Sequence, residues 1–403
     1  MTAILAISDV PAETHPNFLG RLWRDQKSRS VIIQIVTMAV LFALVALAIR
    51  NVAINLEAIG KEFSFDFLWS TAAYDITFSP FIEYTSRDTH LRAMWVGIGN
   101  TLLVAICGIV LASILGFLMG IMRLSSNWLV SRIVYCTVEF TRNVPVLLHI
   151  LLIHGIIITT LPPPKQAIAL GESLFISNRG FFVPSPVFGE SFWLVVVAFV
   201  VAITTVVLFR RWATRLQDAT GKIYPVFWIS LGILVGLPGL AFLATGMPLS
   251  WDKPVLGGFN FQGGMAVKPE FLALWLALSY YTAAYIAEIV RGGILAVSHG
   301  QTEAARALGL RQNRVLQLVI IPQALRVIIP PLTSQYLNLT KDSSLAIAIG
   351  YMDVIATIGG ISLMQTGKEM ETMIIVMGIY LTLSLIIAAI MNWFNRQMAL
   401  VTR

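Results

Sequence analysis

The residues able to do chemistry are few and grouped. Between Ala284 and Pro331 an otherwise apolar chain carries Glu303, Arg306, Arg311 and Arg314. Glu303-Ala304-Ala305 is followed by Gly309 and then by Val319-Ile320-Ile321-Pro322. Residues 300–308 are good helix formers with small side chains, so a short helix is expected there, and its paired alanines let a partner approach closely. Gly309 accepts the left-handed conformation that ends such a helix. Glu303 can reach a basic group or a backbone donor on that partner. Pro322 is expected to start the next helix, where a missing N–H costs nothing. The chemistry of this stretch is docking rather than bond-making.

Lys341-Asp342-Ser343-Ser344 places a cation, an anion and two hydroxyls after an apolar run. A zwitterion needs one partner of each sign, so these four are candidates for a solute path. An intramolecular charge pair fixing the helix end is the competing expectation. His149 and His154 lie in another apolar run. His149 is a candidate for contact with solute, or else a packing histidine hydrogen-bonded to a neighbour. Charge at membrane depth is costly and usually faces a partner or a cavity. Glu139 with Arg142, and Glu288 with Arg291, have the spacing to pair on one helix face. Both pairs are expected at the inner membrane boundary, as structural braces of the docking region.

Other chemistry is excluded. Gly367-Lys368 is followed by Glu369, so it is no phosphate loop. No close Cys/His cluster has metal-ligand spacing. Cys107 and Cys136 lie in or beside apolar segments and read as buried free thiols.

The elements that must position these residues are membrane helices. Of 403 residues, 57% are hydrophobic and 12% charged, against about 25% charged in a soluble domain. The mean hydropathy is +0.79. Apolar runs are continuous rather than alternating, which argues for helices and against a barrel. The net charge of +7 is gathered beside the apolar runs, a positive-inside pattern rather than a nucleic-acid surface. The N-terminal stretch MTAILAISDVPAETHPN lacks a basic start and does not read as a signal peptide.

Eight spans are expected, at about 31–49, 93–121, 134–160, 191–208, 224–244, 270–289, 324–339 and 370–390, with both termini cytoplasmic. Arg21, Arg24, Lys27 and Arg29 precede the first span, and Arg396 and Arg403 follow the last. Residues 50–91 form an aromatic outer segment. Residues 161–190 are proline-rich, which favours turns, and 245–268 are glycine-rich, which suits a short loop or small hairpin. Segment 343–366 is only moderately apolar and interrupted by glycine. It reads as a re-entrant or pore-lining element, because irregular backbone at depth must be surrounded by protein or a wet cavity.

The Glu303 to Pro322 spacing resembles the EAA motif in membrane subunits of ABC-type importers, with Val319 and Ile321 in place of the usual Ile and Leu. Further blocks resemble the polar amino-acid branch of that family. They are Asn100-Thr101-Leu102, the run from Glu139 to Pro145, the run from Tyr285 to Ile294, Pro322 to Arg326, Pro330-Pro331-Leu332, and Asn338 to Leu345. Together they cover about 92–160 and 269–395. Typical members have five spans; the extra leading span and extra helix pair here are similar to the general L-amino-acid permeases of proteobacteria, in particular the first of their two permease subunits.

That resemblance implies an all-α integral membrane protein with a type I ABC importer transmembrane domain of about eight helices. It divides the chain into an N-terminal tail, extra span and periplasmic segment (1–91) and a permease domain (92–395). Within the latter, 161–268 is an insertion and 291–323 is the cytoplasmic coupling loop. Glu303, Ala304, Ala305, Gly309 and Pro322 would couple to an ATPase, and His149 takes a position where relatives often carry Gln. The implied partners are a sister permease, two ATPase subunits, a periplasmic amino-acid-binding protein and the lipid bilayer, with no nucleic acid. ATP and Mg2+ would belong to the ATPase, and this chain would bind no cofactor and catalyse nothing itself. The implied function is import of L-amino acids across the bacterial inner membrane by alternating access. The alternatives are a permease for peptides, oligoamines or anions, and an ion-coupled secondary transporter, which would carry inverted repeats.

Overall fold

Proline and glycine decide where the apolar runs become straight helices and where they break. In a computed structural model, residues 26–58 and 60–398 are described. Arg21, Arg24 and Arg403 lie outside them. The chain divides into two compact units, 1–67 and 68–403. The described part of the first is dominated by helix α1, Gln26–Ala58, a long apolar span.

The second unit opens with an outer segment whose Tyr74 and Ile76 pack on Ala93 and Val96. Helix α2, His90–Met122, starts at Thr89, whose hydroxyl accepts the Arg92 N–H. Just before it, the Thr85 N–H and hydroxyl bond to the Asp88 carboxylate, which with nearby Arg92 hold that carboxyl below its ordinary range.

Helices α3, Trp128–Asn143, and α4, Val146–Thr160, were expected as one span over 134–160, but they meet at a bend of 106°. Pro145 is the cause. It lacks an N–H and pushes Val144 to φ −104°, ψ 131°, outside the helical region. With 15 residues, α4 rises only about 22 Å, short of a roughly 30 Å hydrocarbon layer. Among the described residues seven helices are long and apolar enough to cross, and this bent pair makes an eighth if counted as one.

Helices α5, Phe192–Thr220, and α6, Val226–Ala244, form a neighbouring pair. The segments flanking them form strands, where turns and one short hairpin were expected. Strands β1 (Ile168–Ala169), β2 (Phe175–Ser177) and β3 (Gly180–Val183) join β8 (Met265–Val267) in one antiparallel sheet. Strand β4 (Ser185–Phe188) pairs with β5 (Leu249–Asp252). The expected hairpin is β6 (Val255–Gly257) with β7 (Asn260–Gln262). Phe261 lies 4.6 Å, ring to ring, from both Phe175 and Phe182, tying the two insertions together. Each strand is too short to show a period in sequence, and β3 with β8 and β4 with β5 pair across the chain.

Helix α7, Pro269–Leu295, is the centre of the unit. Leu274, Leu278 and Ile286 on it are fully buried. It packs along α2 because α2 has small residues on that side. A Cβ on Gly116 would lie 2.5 Å from the Ile286 Cβ, and one on Gly120 would lie 2.7 Å from the Val290 Cβ. Such close approach needs glycine, since apolar burial does not drive helices together in lipid. Opposite this face, Ile106, Val110, Ile114 and Leu118 recur every fourth residue and are exposed, a lipid-facing stripe.

Helix α8, His299–Ala307, and short helix α9, Gln312–Val315, follow. A π turn, Leu316–Ile320, runs into α10, Ile321–Asp342. A 3-10 turn, Ser343–Ile349, then a π-helical stretch, Ile355–Ser362, and α11, Leu363–Thr366, make up the irregular segment. Helix α12, Glu369–Met398, completes the chain. Cys107 is half-buried as a free thiol, but Cys136 is exposed, since no element among the described residues covers its side of α3.

Candidate functional site

The docking segment is built as its residue types dictate. Helix α8 ends in a left-handed glycine, Gly309 at φ +76°. The Leu310 N–H bonds to the Ala305 carbonyl at 3.2 Å and the Gly309 N–H to the Arg306 carbonyl at 2.9 Å. These are the two bonds of a Schellman motif. Glu303 is 70% exposed, and its carboxylate accepts from His299 Nδ1 at 3.0 Å. Ala304 is exposed and Ala305 is buried. Arg306 donates twice to Gln312 Oε1, at 2.6 and 3.2 Å. Leu308, absent from the candidates above, is 82% exposed. An apolar side chain this exposed lies just before the capping glycine, and that place was the available clue to it.

Pro322 stands in the first turn of α10, but that turn is no fresh start. The Ile321 N–H bonds to the Leu316 carbonyl, five residues back. The π turn thus joins α9 to α10 in one helical run from Gln312. Its extra residue relieves the clash that a proline ring makes with the carbonyl four residues earlier.

Helix α10 then displays an exposed face that turns polar toward its end. Val327 and Pro331 give way to Ser334, Asn338 and Lys341, all exposed at helical spacing. On a membrane helix such polar groups need protein or water beside them. Lys341 is exposed at the end of this stripe, while Asp342 is half-buried, Ser343 buried and Ser344 half-buried. Ser343 donates to the Thr340 carbonyl at 2.7 Å. Lys341 and Asp342 are not ion-paired with each other among the described residues.

His149 is buried on α4, with Nδ1 3.3 Å from the Pro145 carbonyl oxygen. Its ring centroid lies 5.8 Å from that of Tyr281 on α7. Its Nε2 has no partner among the described protein atoms. Beside it is a cavity of about 250 Å³ lined by Phe140, Val144, Leu148 and Leu152. The Nε2 of His154 is likewise buried and without a partner among the described residues.

The charge pairs form as spaced. Arg142 lies 3.6 Å from Glu139, both about a third exposed. Such a pair contributes little. Arg291 donates to Glu288 at 2.6 Å. Glu288 also holds Arg123 from the end of α2, a buried guanidinium that local spacing could not reveal.

A buried polar network closes the outer half of this unit. The Asn100 side-chain amide donates to the carbonyls of Phe78 and Met352, each at 2.8 Å. Tyr351 donates to the Asn100 carbonyl at 3.0 Å. Asp353 is fully buried; it accepts from the Ala356 N–H at 2.8 Å and from the Tyr380 hydroxyl at 3.1 Å. His90 and Tyr74 both reach the Ser362 hydroxyl, at 2.7 and 3.2 Å. The irregular 343–366 segment is thus pinned to α2, α12 and the outer segment, with Ile347 and Met364 left exposed. Asp353 was not among the candidates, although it is an acid within an apolar segment, the pattern that marks an intramembrane polar site.

Comparison with known proteins places this geometry. The model of the family described as "Binding-protein-dependent transport system inner membrane component" matches residues 219–400. The general L-amino acid transport system permease protein AapQ of Rhizobium johnstonii is 48% identical over 379 residues, covering 94% of each chain. The putative amino-acid ABC transporter permease protein YhdX of Escherichia coli K12 is 45% identical over 375 residues, 93% of this chain and 95% of that one. BztB of Rhodobacter capsulatus, a glutamate/glutamine/aspartate/asparagine transport system permease, is 45% identical over 416 residues, 96% and 97% of the two chains. A solved structure of an amino acid ABC transporter with histidines is 20% identical, with a TM-score of 0.45, over 76% of this chain and 95% of that one.

Proposed function

The chain belongs to the binding-protein-dependent inner-membrane permeases of ABC transporters, and on that premise we propose that it forms part of a passage importing L-amino acids. It is a multi-pass protein of the bacterial inner membrane. As a permease it provides the path, while ATP with Mg2+ is bound and hydrolysed on partner ATPase subunits. A sister permease completes the passage, and a periplasmic binding protein delivers the solute.

Helix α8 is the contact that receives the ATPase stroke, through Glu303, Ala304 and Leu308. The Gly309 cap and the π turn before Pro322 carry displacement into α10, because the helical run from Gln312 is unbroken. Lys341 meets the solute carboxylate. Asp342 and Ser344 meet its ammonium group, and His149 lines the path from α4. The observation that carries this assignment is the exposed stripe of Ser334, Asn338 and Lys341 on a membrane-spanning helix.

The complete transporter reconstituted in vesicles tests it. Lys341→Met is expected to lower ATP-dependent uptake of L-amino acids at least about tenfold, the size of one lost charge-assisted contact. The ATPase should still co-purify with it. Wild-type uptake by Lys341→Met would remove the stripe from the path. Uptake that persists after the ATPase is inactivated would overturn the importer assignment altogether.

A further inference from the structure

Three arginines converge where α2, α3 and α7 end or begin on the cytoplasmic side. Arg123, Arg132 and Arg291 line a cavity of about 450 Å³ with Trp128, Ser131 and Tyr135. Arg123 and Arg132 both stand over the Tyr135 ring, each 5.1 Å from its centroid. Glu288 compensates one positive charge by pairing with Arg123 and Arg291. Three cations against one anion leave an unbalanced basic pocket.

The surroundings of the pocket say which anion suits it. Helix α4 bends 106° from α3, so with α4 running into the bilayer, α3 lies closer to the membrane plane. Around the mouth, Trp128 is 75% exposed, and Leu129 and Ile133 are each 57% exposed. A tryptophan beside exposed aliphatic side chains is the composition of a headgroup-level surface. A soluble anion would have no use for that apolar rim, whereas acyl chains would lie against it.

We propose that this pocket binds the phosphodiester headgroup of an anionic phospholipid of the inner leaflet. Arginine suits phosphate because its planar fork gives paired, charge-assisted hydrogen bonds, and basic pockets between membrane helices hold such headgroups. Arg132, without an ion pair among the described residues, supplies the charge at the mouth. Arg291 and Arg123 lie behind it, oriented by Glu288. Arg291 is on the last turns of α7, which ends at Leu295, and α8 follows at His299. A bound headgroup therefore sits one short link from the docking helix and braces the α2–α7 end against which that helix moves.

The test reads lipid retention, not transport, so its failure is separable from failure of the importer assignment. The full transporter is exchanged into nanodiscs of phosphatidylcholine with a minor fraction of phosphatidylglycerol, then released and weighed by native mass spectrometry. Phosphatidylglycerol should be retained over phosphatidylcholine. Arg132→Gln should weaken retention about fivefold, the effect of one basic side chain at a membrane surface. Arg132→Lys should recover most of it, and Arg210→Gln, an exposed cytoplasmic arginine outside the pocket, should change nothing. Millimolar inorganic phosphate should not displace the lipid. Equal losses in Arg132→Gln and Arg210→Gln would overturn the site. Displacement of the lipid by inorganic phosphate would overturn its assignment to lipid and leave a free-anion pocket.

Discussion

Replacing Gly309 by alanine isolates the conformational demand of the docking helix from its contacts. Gly309 has φ +76°, and a Cβ built on it meets nothing within 4 Å. The cost is therefore purely backbone, roughly 1–2 kcal/mol for an L-residue in the left-handed region. It falls on a helix of nine residues, a length that is marginal without tertiary support. The Schellman bonds from Leu310 to Ala305 and from Gly309 to Arg306 would open more often, by a factor of about 5–30. Hydrogen exchange of the Gly309 and Leu310 amides in the assembled transporter reads this directly. Gly309→Asn should fall between wild type and Gly309→Ala, because asparagine tolerates the left-handed region. In vesicles, ATP hydrolysed per solute imported should rise in the same order. Unchanged exchange in Gly309→Ala, or Gly309→Asn faring worse than Gly309→Ala, would refute the backbone argument.

Two further outcomes follow from other parts of the molecule. Gly116→Ala should destabilise by about 1–3 kcal/mol through overpacking, since its Cβ would lie 3.0 Å from the Ala283 carbonyl oxygen as well as against Ile286. Gly155→Ala, on α4 with nothing within 4 Å, should instead stabilise by up to about 1 kcal/mol from helix propensity. Thermal unfolding of the two purified variants checks the opposite signs. Glu303→Lys should weaken ATPase docking while leaving membrane insertion intact, because the side chain is exposed and bonded only to His299 among the described hydrogen bonds. Co-purification of the ATPase at wild-type yield with Glu303→Lys would remove Glu303 from the interface.

Much of this protein is legible along the chain because its constraints are local or one-dimensional. A continuous apolar run must be helical in lipid, since every backbone N–H and carbonyl must be satisfied within the segment. That is enough to find the long spans, and the Glu303 to Pro322 spacing is enough to find the short helix of that segment and its Gly309 cap. Charges three residues apart pair on one helix face, as Glu139 with Arg142 and Glu288 with Arg291 do. The irregularity of 343–366 is likewise announced by its glycines.

Other features depend on what lies across the fold. The strands of 161–190 and 245–268 are joined because distant short segments satisfy one another's backbone groups, as where Phe181 stands opposite Val267 and Pro186 opposite Trp251. Pro145 could be seen in sequence, but the 106° angle between α3 and α4 depends on the α7 surface on which both helices pack. Arg123 reaches Glu288 from 165 residues away, and Asp353 meets Tyr380 from the last helix. A charge in an apolar segment can be recognised from sequence as needing a partner. Which partner satisfies it depends on which helices come within reach, and glycines such as Gly116 and Gly120 let α2 and α7 close to that distance.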